Sequence, residues 1–417
     1  MIISPANRTR SVREYYFSRK LKEVASLDAG RKASGRDGII NLGIGAPDGM
    51  PPAAAIGALT DAAVQPGVHA YQSYAGIPEL RQAFADWYLR YYGVELDPSG
   101  EIQPLVGSKE GILLISLAFL DKGDKVLVPD PGYPTYTSAS RLTEAEILTY
   151  DLREDEGWIP DFDALERTDL SGVKLMWTNY PNMPTGAPAS MELYTRLVDF
   201  GRRHGIMICN DNPYSFILND RPLSILAVPG AKECCLELNS LSKAHNMSGW
   251  RIGMVAAAPD VVAEILKVKS QMDSGMFRPM QLAAVEALGQ GPEWFRELNA
   301  EYGRRRELAG RIFDLIGAKY DKSSSGMFLW GKVDGNNPLS KAWKKAGRPG
   351  RPAGAQPEAV TTLGEDVSDA ALYGAGVFIT PGLIFGKNGE KHVRISLCAK
   401  PQVLEDAFRR LEEMMAV

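Results

Sequence analysis

The sequence predicts an α/β protein built on a mainly parallel sheet, and three observations carry that expectation. Between about residues 53 and 300, short apolar runs alternate with helix-like runs, the pattern of repeated strand–helix units. Almost every polar residue with chemical potential falls just past the end of one of those apolar runs. That is where open α/β sheets bind ligands. After about residue 295 the character changes, and a long charged helix leads into a few further strands and a last helix. A second, smaller α/β domain is expected there.

In chain order, residues 11 to 34 read as a helix with many charges, followed by the extended GIINLGIGAPD at 38 to 48. Two glycines and a proline end that strand in a loop. IQPLVG (102–107) is a strand before a helical run from Glu110. KVLVPD (125–130) ends in the turn PGYP, and KLMWTNY (174–180) ends in PNMPTG. IMICND (206–211) gives way to NPY, and ECCLELNS (233–240) leads into SLSKAHNMSGWRIG (240–253). EWFRELNAEYGRRRELAGRIFDLI is the long charged helix, and SSSGMFLWGKV after it is a strand. Residues 335 to 360 are rich in Gly, Pro, Lys and Asn and read as an exposed insertion. GVFITPG and HVRISLC are strands, and PQVLEDAFRRLEEMMAV is the final helix. No internal repeat is visible. The expected division is a large domain over 48–299 and a small one made of 1–47 and 300–417.

With 417 residues the chain can bury a large core. A hydrophobic fraction of 45% and a charged fraction of 24% are ordinary for a soluble globular protein. The net charge of −4 and the lack of a basic stripe argue against a nucleic-acid partner. Cys209, Cys234, Cys235 and Cys398 have neither metal-ligand nor disulfide spacing, so no metal is expected and the thiols read as reduced. The N-terminal MIISPANRTR has no apolar core, and no run approaches membrane-spanning length. A soluble, cytoplasmic protein is expected.

Lys243 is the most informative position. A lysine set between an apolar strand and small residues is costly unless it is neutralised or used. Ser240 and Ser242 precede it and Arg251 follows. Two hydroxyls and a guanidinium around a lysine suit an anion beside a Schiff base, which points to pyridoxal phosphate. Gly107, Ser108 and Lys109 precede a predicted helix, so their backbone N–H groups and the helix dipole can hold a phosphate dianion. Each residue alone has an ordinary reading: a snorkelling lysine, a turn before a helix, a capping Asp211, an edge-strand Arg394. Their shared order at strand ends is what single ordinary readings do not explain.

Together these segments resemble the fold-type I, class I/II pyridoxal-phosphate aminotransferases over nearly the whole chain. The family's SxSKxxxxGxRxG is similar to SLSKAHNMSGWRIG, its DxxY to DNPY (Asp211, Tyr214), and its Asn-Pro-Thr-Gly loop to NYPNMPTG (179–186). GIGAPD, the Tyr71-to-Arg81 segment YxxxxGxxxLR and the late VRIS strand follow in the family's order. NYPN and GSKEGI are as similar to the LL-diaminopimelate and alanine-type subgroup as to the aspartate and aromatic members.

The resemblance implies a seven-stranded, mainly parallel large-domain sheet, and a homodimer with shared active sites. It implies that Lys243 carries the cofactor and shuttles the proton between Cα and the cofactor. Asp211 would face the pyridine nitrogen and keep it protonated, Tyr214 would donate to the phenolate oxygen, and Tyr133 would stack on the ring. Ser240, Ser242 and Arg251 would complete the phosphate cradle of Gly107, Ser108 and Lys109, with Tyr71 reaching the neighbouring subunit's phosphate. Arg394 would clamp the substrate α-carboxylate, approached also by the backbone of Gly45. Arg278, in a loop that in the family approaches the partner's active site, is a candidate partner for a distal carboxylate, and Tyr15 and Tyr16 are candidates for the pocket mouth.

One departure stands out. Met183 occupies the place of the family's asparagine before Pro-Thr-Gly, with Asn182 just ahead of it. Either Asn182 serves in its stead or Tyr214 acts alone, in which case the imine pKa rises. The expected reaction moves an amino group from an L-α-amino acid to a 2-oxo acid, 2-oxoglutarate or pyruvate. The alternatives are a carbon–sulfur lyase, an aminocyclopropane-carboxylate synthase or an amino-acid decarboxylase of the same fold. A regulator using this fold as an effector module is excluded, since no basic recognition helix precedes the large domain.

Overall fold

The computed structural model describes residues 3–12, 14, 16–347 and 361–416. In chain order its strands are β1 (Ile40–Asn41), β2 (Ile102–Leu105), β3 (Lys125–Asp130), β4 (Glu146–Asp151), β5 (Val173–Thr178), β6 (Met207–Asp211), β7 (Cys235–Ser240) and β8 (Gly253–Ala256). There follow β9 (Lys319–Tyr320), β10 (Phe328–Lys332), β11 (Val377–Phe378), β12 (Thr380–Pro381) and β13 (His392–Ser396).

Seven strands form one sheet in the order β2-β8-β7-β6-β5-β3-β4. Every pairing is parallel except the two that β8 makes with β2 and β7. The mainly parallel sheet expected from the alternating pattern is therefore present. Its central strands are apolar on both sides, as a sheet covered by helices on both faces requires. Leu105, Val126, Leu175, Leu236 and Val255 meet Ile112 and Ile115 on one face. Leu127, Met176, Ile208 and Met254 meet Phe84, Trp87 and Leu197 on the other.

A separate core joins the helices Pro292–Leu315 and Pro401–Met415 to β10 and β13, through Ile312, Phe313, Leu404, Leu329 and Ile395. β12, β13, β10 and β9 make an antiparallel sheet here, while β1 pairs in parallel with β11. Met183 and Tyr214, on loops of the seven-stranded sheet, pack into this second core. The residues of interest thus lie where the two cores meet.

Element boundaries differ from expectation in few places. The first long helix begins at Tyr16 and ends at Ala33. The stretch expected as an exposed insertion over 335–360 contains a helix, Pro338–Lys345, with Leu339 and Trp343 buried. Those two residues are four apart and share a helix face, and the Asn337 side chain caps the helix through the Ser340 amide. Residues 348–360 lie outside the described residues. Three strands escaped the sequence pattern, the two-residue β9 among them. β4 is a half-exposed edge, and the four-residue β8 hides behind the lysine segment.

Candidate functional site

Parallel strands that end at one edge deliver their loops to one place. Here the loops after β2, β3, β5, β6 and β7, and the segment that enters β8 from the same edge, surround a cavity of about 470 Å³. Lys243, Asp211, Tyr214, Tyr133, Ser108, Lys109, Ser240, Ser242 and Arg251 line it, and Gly45 and Arg394 close it from the second core.

Lys243 is half-buried, and desolvation of its amine pushes the ammonium down to about 8, so the amine is readily available as a base. Its Nζ donates to the Gly45 carbonyl at 2.5 Å and lies 5.8 Å from the Tyr214 ring centre. Asp211 is the last residue of β6. Burial raises its carboxyl to about 7, while Oδ2 accepts from the Tyr136 hydroxyl at 3.0 Å. Its other oxygen, Oδ1, is buried without a hydrogen-bond partner. A buried acceptor of this kind fits a protonated ring nitrogen. Burial also raises the Tyr214 phenol, which therefore stays a donor at neutral pH.

The anion cradle is built around Arg251. Gly107 caps the helix Ser108–Phe119 with φ 79°, and a Cβ there would come within 2.2 Å of an Arg251 Nη. Only glycine admits the guanidinium so close to a helix N-terminus. Arg251 itself sits in the left-handed region at φ 58°, a conformation that costs a residue with a Cβ about 1 kcal/mol or more and clusters at functional sites. It is held there by Nη1 donating to the Ser248 carbonyl at 2.8 Å and by Nη2 to Val106 O at 3.4 Å. The hydroxyls of Ser240 and Ser242 lie 2.8 Å apart beside it. Burial and then Arg251 depress the Lys109 ammonium, and the Ser108 hydroxyl is buried without a hydrogen bond. Two crowded cations, an unsatisfied hydroxyl and a helix N-terminus together fit a phosphate dianion.

Arg394 lies in β13, buried among aromatic rings. Its guanidinium carbon is 4.0 Å from the Phe328 ring centre, 4.6 Å from Phe385 and 5.6 Å from Phe17. One Nη donates to Gly43 O at 2.6 Å and the other to the Met183 sulfur at 3.3 Å. Gly45 has a packing reason to be glycine: a Cβ there would strike the Phe328 ring at 2.3 Å.

Three expected residues lie outside the cavity. Asn182 is buried, but its Oδ1 accepts from the Thr185 hydroxyl at 2.7 Å and its Nδ2 donates to Asn179 O at 3.2 Å. Its amide folds the loop instead of facing the site, which corrects the idea that it takes over from Met183. Tyr71 is 91% exposed. Arg278, expected near the partner's site, pairs with Glu79 at 3.2 Å within its own chain. Of the two tyrosines offered for the mouth, Tyr15 lies outside the described residues and Tyr16 is not among the lining residues. Phe17 and Leu21, from the same helix, line it instead.

Other lining residues went unread in the sequence. Asn179 donates to the Asp211 carbonyl at 2.5 Å and accepts from Met183 N at 2.7 Å. Tyr136 holds the Asp211 carboxylate while its ring stacks on Trp177 at 5.1 Å. Its place one helical turn after Tyr133 was the available signal.

Fold and site together define a two-core α/β enzyme with a strand-end anion cradle beside a half-buried lysine. Residues 37–411 match the family model for aminotransferase class I and II. The chain is 37% identical over 412 residues to the LL-diaminopimelate aminotransferase of Moorella thermoacetica, with 98% of each chain covered. Among solved structures it is similar to substrate-bound BacF from Bacillus subtilis, with a TM-score of 0.87, 31% identity and coverage of 99% and 98% of the two chains. It is also similar to a Thermus thermophilus aspartate aminotransferase single mutant, with a TM-score of 0.84, 25% identity and coverage of 99% and 100%. The chain belongs to the class I and II aminotransferase family. It is a pyridoxal-phosphate-dependent aminotransferase with an amino acid and a 2-oxo acid as substrates.

Proposed function

We propose that this chain binds pyridoxal 5′-phosphate in the strand-end cavity and moves the amino group of an L-α-amino acid to 2-oxoglutarate or pyruvate. The observation that carries the reading is the Lys243 amine, lining the cavity together with Arg251 of the cradle and Asp211. The bound cofactor supplies an electron sink for the carbanion formed at the substrate Cα. Gly107, Ser108, Lys109, Ser240, Ser242 and Arg251 would hold its phosphate, Lys243 its aldehyde carbon, Tyr214 its phenolate oxygen and Tyr133 its ring face. Asp211 Oδ1 would keep the ring nitrogen protonated.

Arg394 orients the donor by its α-carboxylate, in a fork that its bond to Gly43 O holds in place. Once released, Lys243 Nζ takes the Cα proton. The Cα–N bond of the donor breaks, and a water oxygen becomes the carbonyl of the departing 2-oxo acid. A second 2-oxo acid reverses these steps. Met183 places a thioether beside Arg394, so Tyr214 alone donates to the phenolate oxygen.

The homodimer belongs to the same reading. The exposed Tyr71, Tyr74 and Phe277 lie close together, since His69 stacks on Phe277 at 5.8 Å and Gly275 abuts Gln72 and Ser73. A second copy covering this surface brings Tyr71 to its phosphate. The division into 48–299 and 1–47 with 300–417 is supported by the two separate cores. A cytoplasmic setting accords with four free cysteines, and no described helix is long and apolar enough to cross a membrane.

The test is Lys243→Ala. The purified variant should lose the imine absorbance of the bound cofactor and at least roughly 10²–10⁴-fold of the transfer rate. Normal turnover would remove the reading. A donor screen with both acceptors separates transfer from lyase chemistry, because a lyase forms pyruvate and ammonia with no acceptor present. LL-diaminopimelate belongs in that screen because of the relatives' names.

A further inference from the structure

Between β12 and β13 the chain makes two short turns, Gly382–Phe385 and Lys387–Gly389. These strands pair at Thr380 and Arg394, so the connection belongs to the strand pair that carries the carboxylate clamp. Phe385 sets its ring 4.6 Å from the Arg394 guanidinium carbon and lines the cavity. Its packing is with the second core, yet the polar groups that hold the connection come from the edge of the seven-stranded sheet. Asp130, the last residue of β3, accepts from the Lys387 amide through Oδ2 and from the Asn388 amide through Oδ1, each at 3.0 Å. Asn388 Nδ2 donates to Asp130 O at 3.0 Å and to Oδ1 of Asp151, the last residue of β4, at 2.9 Å. The Gly132 amide donates to Phe385 O at 2.7 Å. Gly386 stands at φ 140°, and a Cβ there would collide with the Asp130 carboxylate, so glycine lets the two segments close. All of these contacts form within one chain.

Tyr133, which the aminotransferase reading sets against the cofactor ring, directly follows Gly132. One turn, 130–133, therefore holds the loop beside the clamp and carries the ring contact. Resting on that reading and on Arg394 as the α-carboxylate clamp, we propose that Asp130 is a positioning residue for amino-group transfer. Its carboxylate fixes the 385–388 connection, and through Phe385 the Arg394 guanidinium, at a set place relative to the cofactor ring. Two amides on one carboxylate make charge-assisted bonds, stronger than neutral ones. They join two separate cores, and relative motion of such units is the default where few contacts tie them. A clamp in place for only a fraction of the time binds its ligand more weakly by that fraction. Donor and 2-oxo acid both enter by an α-carboxylate, so both depend on this latch. Lys243 and Asp211 stand at strand ends of the seven-stranded sheet itself, so the steps after binding do not.

Asp130→Asn tests this in the holoenzyme, because it keeps the side chain's size but leaves one acceptor oxygen and turns an N–H toward the other amide. With the fastest donor of the screen and its 2-oxo acid, 2-oxoglutarate or pyruvate, both KM values should rise about 10-fold. The kcat should stay within about threefold, the pattern of lost uniform binding, and cofactor affinity should be unchanged in a fluorescence titration of the apoprotein. Hydrogen exchange supplies a readout that needs no turnover. The Lys387 and Asn388 amides of the variant should exchange about 10-fold faster or more. Gly386→Ala reaches the same contact from the loop side and should give the same KM pattern, even where Asp130→Asn fails to fold. A role in stability alone would lower the unfolding midpoint and leave KM as it is. Unchanged KM values in either folded variant, amide exchange that stays slow, or a loss of kcat without a rise in KM overturns the inference. Arg394→Lys separates the two readings. A raised KM there with normal values in Asp130→Asn overturns the role of Asp130 alone, and normal values in both variants overturn the clamp and the inference with it.

Discussion

Asp211 shows what burial does to one side chain. Its carboxyl rises from about 4 in the unfolded chain to about 7 in the apoprotein, mainly because the strand end is desolvated. A raised acid stabilises the fold below the unfolded value and loses that contribution as pH climbs through the folded one. Between pH 4 and 7 the unfolded state therefore releases this proton first, and up to about 4 kcal/mol of apoprotein stability is lost with rising pH. Asp211→Asn cannot ionise and lacks this dependence. Its stability relative to the wild-type apoprotein should grow by about 2 to 3 kcal/mol from pH 5 to pH 8, measured by urea unfolding. A constant difference would show that Asp211 is ionised in both states. The residue itself was legible in DNPY, but the Tyr136 hydroxyl that holds it was not. That contact joins a helix after β3 to the end of β6, a distance in sequence that no local pattern spans.

The helix Ser108–Phe119 carries the anion cradle, and a buried ion pair fixes its first turn. Glu110 accepts from the Val106 amide at 2.6 Å and from Lys269 Nζ at 3.3 Å, and Lys269 also pairs closely with Asp273. The Lys269 side chain is 1% exposed. Removing one partner of a buried pair strands the other charges in a low dielectric. Lys269→Met should cost about 3 kcal/mol of stability and weaken cofactor binding through a loosened cradle, read by fluorescence titration of the apoprotein. Equal cofactor affinity would confine Lys269 to a packing role. GSKEG marked the helix start from sequence alone, since glycine followed by a helix is a local signal. Its anchor was hidden, because Lys269 stands in an ordinary amphipathic helix and its partner is 159 residues away.

At the scale of the whole molecule, Met183 and Tyr214 reach from loops of the seven-stranded sheet into the second core and line the cavity between them, and the second copy is expected to cover the Tyr71, Tyr74 and Phe277 surface. Phe277→Asp places a charge in that contact. Sedimentation should find a dimer for the wild type and a monomer for the variant, with the variant's activity falling alongside. A wild-type monomer would argue against shared sites. By itself the sequence determined the mainly parallel sheet and that Lys243, Asp211 and Arg251 stand at or just past the ends of its strands. Those are written in local periodicity and in motifs only a few residues long. Only the tertiary structure decided that Asn182 folds its own loop, that Gly45 makes room for Phe328, and that aromatic rings pack against Arg394. Each of those facts depends on which distant segments pack together, and packing depends on the whole chain at once.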